Sequence, residues 1–416
     1  MKKIWDLYKD SSFLLKMTIG FLLGIGSGML IGPEMEVVKP LGTILINLLN
    51  LVAVPVIFLT VVLAINQMNP NHLGRLGGKL LIYYGLTTAA AVLIGVGLAL
   101  WITPGAGLSL PDAQVEKPET PSFSDVLLNI VPDNLFQAFT SGELMGILFL
   151  AVIIGLTMAK MRYSGKEELQ LSGERLHRLF SSANDLFFLL LQGILLYAPI
   201  GIFAIGASAF GSQGWQTFKS LLAFTGVFYL GVLLLWLLVY TSFLKYAHVN
   251  IKHFFVKTKD AYFTAFFTSS SIASLPVAIE SAKKAGISER TVNFSLPIGA
   301  VFNSDGGALR MGVSIVFAAN VTGLNLSVMD FITIVVIGTL LSIGTAGIPA
   351  AGLVTLAAVL TMFNLPLEIV ALIAGVDVLI GMAGTASNVL GDIVGSAVVD
   401  NKETDSSSRQ APSTTV

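Results

Sequence analysis

VNFSLPIGAVFNSDGGALRMGVSIVFAANV, residues 292–321, is an apolar run with Asn303, Ser304, Asp305, Gly306 and Gly307 at its centre. It is long enough to cross a bilayer, which takes about 20 predominantly apolar residues. Each glycine costs a helix interior about 1 kcal/mol relative to alanine, so the adjacent pair predicts a break in the helix. Unwound backbone at membrane depth survives only where protein or a water-filled cavity satisfies its polar groups. Residues 292–321 are therefore predicted to be a discontinuous membrane helix that offers carbonyls, an amide and a carboxylate to a ligand near the bilayer midplane.

The same signature recurs at 268–274, 342–347 and 381–388, where small and polar residues interrupt apolar sequence. Upstream, apolar runs fall near 13–31, 40–66, 78–103, 144–160, 180–209 and 219–247, which predicts six spanning helices in the first 250 residues. With 54% hydrophobic and 12% charged residues and a mean hydropathy of +0.81, the 416-residue chain has too little polar surface for an ordinary water-soluble domain. Its expected solvent is the lipid bilayer. A net charge of -1 gives no footprint for nucleic acid, and the absence of cysteine removes disulfides and thiolate metal sites. The run at 13–31 is too long for a signal-peptide core and lacks a cleavage pattern, so it reads as a first membrane helix. Residues 104–121 carry four prolines and read as an exposed linker, and residues 401–416 are polar and read as a disordered tail.

From Lys2 to Arg290 nearly every basic residue falls on one side of this arrangement, leaving Lys39, Lys117 and Lys219 on the other. That count requires residues 253–284 to form a re-entrant hairpin that returns to the side it left. The basic side is then cytoplasmic, with both termini inside. A second hairpin near 326–362 must enter from outside, or Lys402 and Arg409 would end on the wrong side. Two opposed hairpins imply an inverted repeat.

On the last helix Asp377, Gly381, Gly384, Asn388 and Asp392 fall within one narrow stripe at 100° per residue. Intramembrane carboxylates are costly and mark ion or substrate pathways, whereas the two glycines equally suit close helix packing. Asn303 and Asp305 beside an unwound turn form a set of hard oxygens without thiolate or imidazole, which suits Na⁺ or another hard cation. Tyr84, Thr87 and Thr88 stand on adjoining helical positions where hydroxyls could join a cation shell or simply bond their own helix. Arg310 has no interface to reach, so it faces a cavity, an anionic solute or an acidic partner such as Asp377. No nucleophile and base pair or metal-ligand cluster emerges from the four histidines, which argues against an enzyme.

Ordered motifs along nearly the whole chain carry a resemblance. They include Val54-Pro55-Val56-Ile57-Phe58, Tyr197-Ala198-Pro199-Ile200-Gly201, Ser269-Ser270-Ser271 with Leu275-Pro276, Leu296-Pro297-Ile298-Gly299-Ala300, Gly344-Thr345-Ala346-Gly347-Ile348-Pro349 and Asn388-Val389-Leu390-Gly391-Asp392. The chain resembles the dicarboxylate/amino acid:cation symporters, the glutamate-transporter family. The resemblance implies an all-α polytopic membrane protein with eight transmembrane helices, two opposed re-entrant hairpins and inverted repeats. It also implies a plasma-membrane homotrimer and an elevator motion of a transport domain against a fixed scaffold. Residues 1–75 then hold scaffold helices 1 and 2, 76–104 transport-domain helix 3, and 105–210 scaffold helices 4 and 5. Residues 211–400 hold the rest of the transport domain: helix 6, hairpin 1, helix 7, hairpin 2 and helix 8.

By the same resemblance, Gly299, Asn303, Asn388 and Asp392 form one sodium site, and Tyr84, Thr87, Thr88, Asn303 and Asp305 another. A third maps to Val301, Ser304, Ser342, Ile343 and Thr345, although Ser304 replaces the family's usual methionine. The implied solute pocket takes Ser270, Ser271, Gly307, Arg310, Thr345, Gly347, Gly381, Gly384, Thr385 and Asn388. The departures bear on the solute. Gly381 stands where amino-acid carriers hold an Asp for the solute's ammonium, and Gly384 where they hold an Arg for its carboxylate. Arg310 would return a positive charge to the pocket and clamp a carboxylate. The expectation is symport of a small carboxylate without an ammonium group, such as a C4-dicarboxylate, with two or three Na⁺. Proton coupling through Asp305 or Asp392, an amino-acid solute, and a sensor or anion leak that does not transport are the alternatives.

Overall fold

The protein is described by a computed structural model covering residues 13–66, 74–108, 131–141, 144–345 and 351–408, and among these residues it contains helices and no strands. The helices are α1 (Phe13–Ile31), α2 (Lys39–Asn66), α3 (Gly74–Ile102), α4 (Leu135–Ser141), α5 (Leu144–Arg162), α6 (Glu167–Gln213), α7 (Trp215–Leu234), α8 (Thr241–Tyr246), α9 (Ile251–Thr268), α10 (Ser271–Lys284), α11 (Glu289–Phe302), α12 (Asp305–Thr322), α13 (Val328–Thr345), α14 (Ala351–Met362) and α15 (Glu368–Ser408). Five described stretches are long and apolar enough to cross a membrane: Leu15–Asn66, Leu76–Ile102, Glu167–Ser212, Trp215–Tyr246 and Glu368–Asp400. The first holds 52 residues, roughly 78 Å of helix at 1.5 Å per residue and more than twice a hydrocarbon core. The two expected spans within it meet in a 3₁₀ segment, Gly32–Val38, where Gly32 takes φ 81° and Pro33 follows. The chain is a multi-pass membrane protein.

Glycines set how closely the helices approach. On α1, Gly20, Gly24 and Gly28 lie against the backbone of α6, where an added Cβ would sit 2.5, 2.6 and 2.6 Å from the carbonyl oxygens of Pro199, Phe203 and Ala207. In lipid this small-residue packing stands in for the hydrophobic drive available in water. α1, α2, α5 and α6 pack on one another, while α3, α7, α9, α10, α11 and α12 gather around α15 and its neighbours. Within the second group α3 and α12 run side by side. A Cβ on Gly95 would meet the Leu309 carbonyl at 2.5 Å, and one on Gly312 the Val92 carbonyl at 2.7 Å. Thr88 and Asp305 each stand seven residues before one of these glycines, so the close crossing also brings their side chains together.

The break expected within residues 292–321 is present, but it falls earlier than the glycine pair. α11 ends at Phe302, Asn303 is extended (φ -102°, ψ 124°), Ser304 is irregular (φ -142°, ψ 58°), and α12 starts at Asp305. Gly306 and Gly307 belong to the first helical turn, where backbone N–H groups lack intrahelical partners in any case, so glycine there does not stop the helix. The last helix also departs from expectation: it continues past Asp400 to Ser408, so residues 401–408 prolong α15 where a tail was expected. Each residue added to an existing helix gains a hydrogen bond without a new nucleus, and Lys402 and Glu403 are good helix formers. Residues 409–416 and most of the proline-rich linker lie outside the described residues.

α9 and α10 form a helical hairpin that turns at Ser269 and Ser270. Ser269 adopts a left-handed conformation (φ 50°), and the Ser270 hydroxyl caps α10 by accepting from the Ala273 N–H at 3.2 Å. α13 and α14 make the second helical pair, and both pack on α2. The segment between them, with Gly347, lies outside the described residues.

Candidate functional site

The break between α11 and α12 faces α15 and α3, and the predicted polar residues meet there. Asp305 is fully buried. Its Oδ1 accepts from the hydroxyls of Thr87 at 3.0 Å and Thr88 at 2.9 Å, and its Oδ2 from Tyr240 at 2.8 Å. Asn303 donates through Nδ2 to Asp392 Oδ1 at 3.0 Å and to the Asn388 carbonyl at 3.2 Å. Asn388 in turn accepts from the Gly306 N–H at 2.8 Å, which satisfies one of the free amides at the start of α12, and its Nδ2 reaches Ser304 Oγ at 3.4 Å. Four parts of the chain distant in sequence are therefore tied at one point.

This cluster holds two buried carboxylates, with Asp392 only 3% exposed, and neither forms an ion pair among the described residues. Buried charges are costly unless paired or bound to a metal. Two further oxygens, Asn303 Oδ1 and the Tyr84 hydroxyl, are buried without a hydrogen-bond partner among the described residues. α11 ends here too, so the carbonyls of its last turn and the negative end of its dipole face the same point. Carboxylate, amide, hydroxyl and carbonyl oxygens with no sulfur or imidazole suit a small hard cation.

Gly299 is needed for the geometry. A Cβ there would lie 2.5 Å from both Asp392 Oδ1 and the Tyr84 hydroxyl. Replacing Gly299 with Ala is expected to push these oxygens apart and to weaken cation binding at the cluster, read as a loss of cation-dependent thermal stabilisation. Unchanged cation binding in that variant would show that no cation depends on the space between these two oxygens.

Arg310 lies further along α12 and reaches Asp377, more than two turns into α15. Its Nη1 is 2.5 Å from Asp377 Oδ1, with the two side chains 9% and 13% exposed. The contact is an ion pair without hydrogen-bond geometry, and Arg310 Nε and Nη2 and Asp377 Oδ1 have no hydrogen-bond partner among the described residues. Of the two alternatives read from sequence, pairing with Asp377 is realised in this conformation. The two glycines of the α15 stripe part company. Gly384 packs against Gly306, where a Cβ on Gly306 would collide with the Gly384 backbone, whereas a Cβ on Gly381 would meet nothing within 4 Å. Gly381 therefore borders open space. Gly307 lies against Ser304, whose Oγ would be 2.5 Å from a Cβ there, and Thr385 is half-buried beside Gly384.

Ser270 serves as a helix cap at the first hairpin's turn, and Ser271 is buried there. Val301 is half-buried at the end of α11. Ser342, Ile343 and Thr345 lie in the last turn of α13, and Gly347 lies outside the described residues.

Two participants were not anticipated from sequence. Tyr240 donates to Asp305 and lies 3.0 Å from the Ser387 carbonyl, and it ends a π-helical turn, Leu235–Tyr240, between α7 and α8. A π turn shifts the register of the side chains that follow it, which an apolar run such as LWLLVY does not reveal. Tyr83 supports the cluster from behind, its hydroxyl donating to the Gly391 carbonyl at 3.1 Å.

Residues 13–402 match the model of the sodium:dicarboxylate symporter family. The chain is 31% identical over 393 residues to the C4-dicarboxylate transport protein of Cupriavidus pinatubonensis, covering 91% of this chain and 89% of that protein. It is 32% identical over 403 residues to the protein of the same name from Rhizobium etli, covering 93% and 89% respectively. Over 401 residues it is 29% identical to the proton/sodium-glutamate symport protein of Bacillus caldotenax, covering 92% and 93%.

Proposed function

The chain belongs to the sodium:dicarboxylate symporter family, and from that premise we propose that it couples inward sodium movement to uptake of a small dicarboxylate lacking an ammonium group. The observation that carries the coupling half is the pair of buried carboxylates, Asp305 and Asp392, which among the described residues have no cationic side chain paired to them, together with the oxygens of Asn303 and Tyr84 that find no partner there. Sodium fits this set, with Asp392, Asn303 and the end of α11 as one position and Asp305, Thr87, Thr88 and Tyr84 as a second. A third ion would use Val301, Ser304 and the end of α13. Solute and ions that complete one another's surroundings bind cooperatively, which is what symport requires.

The solute half rests on Arg310 and Gly381. Arg310 has donors to clamp a carboxylate, and Gly381 itself brings no carboxylate for an ammonium group, with no atom of the described residues, its own helix backbone and chain neighbours aside, within 4 Å of where its Cβ would be. An ammonium left there would forgo a charge-assisted bond worth about 1.5 to 3 kcal/mol. Asp377 is the one feature that favours the second reading, an amino acid such as glutamate, as in the relative from Bacillus caldotenax. Its charge is engaged by Arg310, so the dicarboxylate reading is preferred. Eight spans with two re-entrant hairpins, a homotrimer in the plasma membrane with both termini cytoplasmic, and elevator motion gated by the second hairpin complete the proposal.

Proteoliposomes with an inward sodium gradient test it. Sodium-dependent accumulation of labelled succinate, with little aspartate, is the expected result. Accumulation of aspartate instead would move the assignment to the amino-acid reading. Accumulation driven equally by a proton gradient without sodium would assign the carboxylates to protons, and binding without accumulation would identify a sensor.

A further inference from the structure

Arg310 is buried in a way that creates a problem for any carrier that must return empty. The start of α14 lies over its guanidinium: a Cβ on Gly352 would collide with Nη1 and sit 2.7 Å from Cζ. A helix N-terminus carries partial positive charge, so the first turn of α14 repels the guanidinium rather than neutralising it. Asp377 is the acidic side chain that pairs with Arg310. Meanwhile Nε and Nη2, the edge of the guanidinium suited to two parallel bonds with a carboxylate, are buried and without an acceptor among the described residues.

We infer that Asp377 is an internal counter-ion that takes Arg310 when the solute has left, so that the carrier can reorient empty without an unpaired buried charge. The inference rests on the reading of Arg310 as the group that receives the solute carboxylate. In the loaded protein the solute carboxylate supplies the negative charge, and Asp377 is dispensable for reorientation. In the empty protein Asp377 is the acidic side chain, among the described residues, that pairs with Arg310 and supplies it. Its carboxylate also keeps Arg310 from holding the solute too tightly, because an arriving anion meets a guanidinium that is already neutralised. Asp377 is thus a positioning and neutralising residue, and its loss separates two transport modes that share every other step.

The experiment compares net uptake of labelled succinate into solute-free proteoliposomes under an inward sodium gradient with exchange into proteoliposomes preloaded with unlabelled succinate and equal sodium on both sides. Net uptake needs the empty carrier to return, whereas exchange does not. In Asp377→Asn, net uptake is expected to fall about tenfold or more while exchange falls less than about threefold, because removing one partner of a buried ion pair penalises the state in which the other stays unpaired. Asp377→Glu, which keeps the charge, is expected to recover net uptake. Parallel loss of both modes in Asp377→Asn, or retention of both, overturns the counter-ion role. Failure of the unsubstituted protein to transport succinate in either mode overturns the assignment of the solute and this inference with it.

Discussion

Replacing Asp392 with Asn is expected to raise the sodium concentration for half-maximal uptake by two to three orders of magnitude while leaving the fold intact. The substitution is close to isosteric, and the new amide can still offer an oxygen to Asn303 Nδ2, which Asp392 now accepts at 3.0 Å. What is lost is the charge. Asp392 is 3% exposed with no cationic side chain paired to it among the described residues, so a bound cation would be its direct neutralising partner. Removing one member of a buried, hydrogen-bonded ion contact costs about 3 to 5 kcal/mol, and about 1.4 kcal/mol corresponds to a factor of ten in affinity. Sodium titration of uptake, with sodium-dependent thermal stabilisation as a parallel readout, measures the change. A shift below about threefold in both readouts would show that Asp392 serves the helix packing and does not hold an ion.

Arg310→Ala is expected to reduce dicarboxylate uptake by about two orders of magnitude or more, in line with the 2 to 5 kcal/mol typical of truncating one partner of a buried charge pair. The loss has two sources: the solute carboxylate forfeits its clamp, and Asp377, now 2.5 Å from Nη1, is left unpaired in a buried site. Arg310→Lys distinguishes them. A lysine restores the charge beside Asp377 but cannot present two parallel donors, so it should recover stability more than affinity. The sodium positions proposed above draw on Asp305 and Asp392 and on no atom of Arg310, so sodium-dependent thermal stabilisation should persist in both variants. Dicarboxylate uptake in Arg310→Ala that matches the unsubstituted protein would remove Arg310 from the pocket.

Much of this arrangement was legible in the chain because it follows from local chemistry. The interruption inside residues 292–321 announces an unwound segment, since polar backbone in a membrane needs a reason. The spacing of Asn388 and Asp392 puts both on one helical face, and their common contact is Asn303. The Tyr84, Thr87 and Thr88 patch was ambiguous by itself, because threonines in membrane helices also bond their own backbone. Here Thr87 and Thr88 reach Asp305, 218 and 217 positions away. The glycine pair misled on detail: Gly306 and Gly307 continue the helix, and the break belongs to Asn303 and Ser304. Glycine's low helix propensity matters least in a first turn, and Gly306 is needed there for its close approach to Gly384.

By itself the sequence determined which segments are apolar enough to enter lipid, where polar residues interrupt them, and that the interruptions carry hard oxygens. Composition and period are properties of neighbouring residues, so they can be read along the chain. Only the tertiary structure decided that Tyr240 joins Asp305 after a π turn, that Gly381 borders open space while Gly384 is packed, and that Arg310 pairs with Asp377 beneath the start of α14. Those outcomes depend on how far helices approach and at what rotation they meet, and these are set by packing between segments that the chain brings together only when folded.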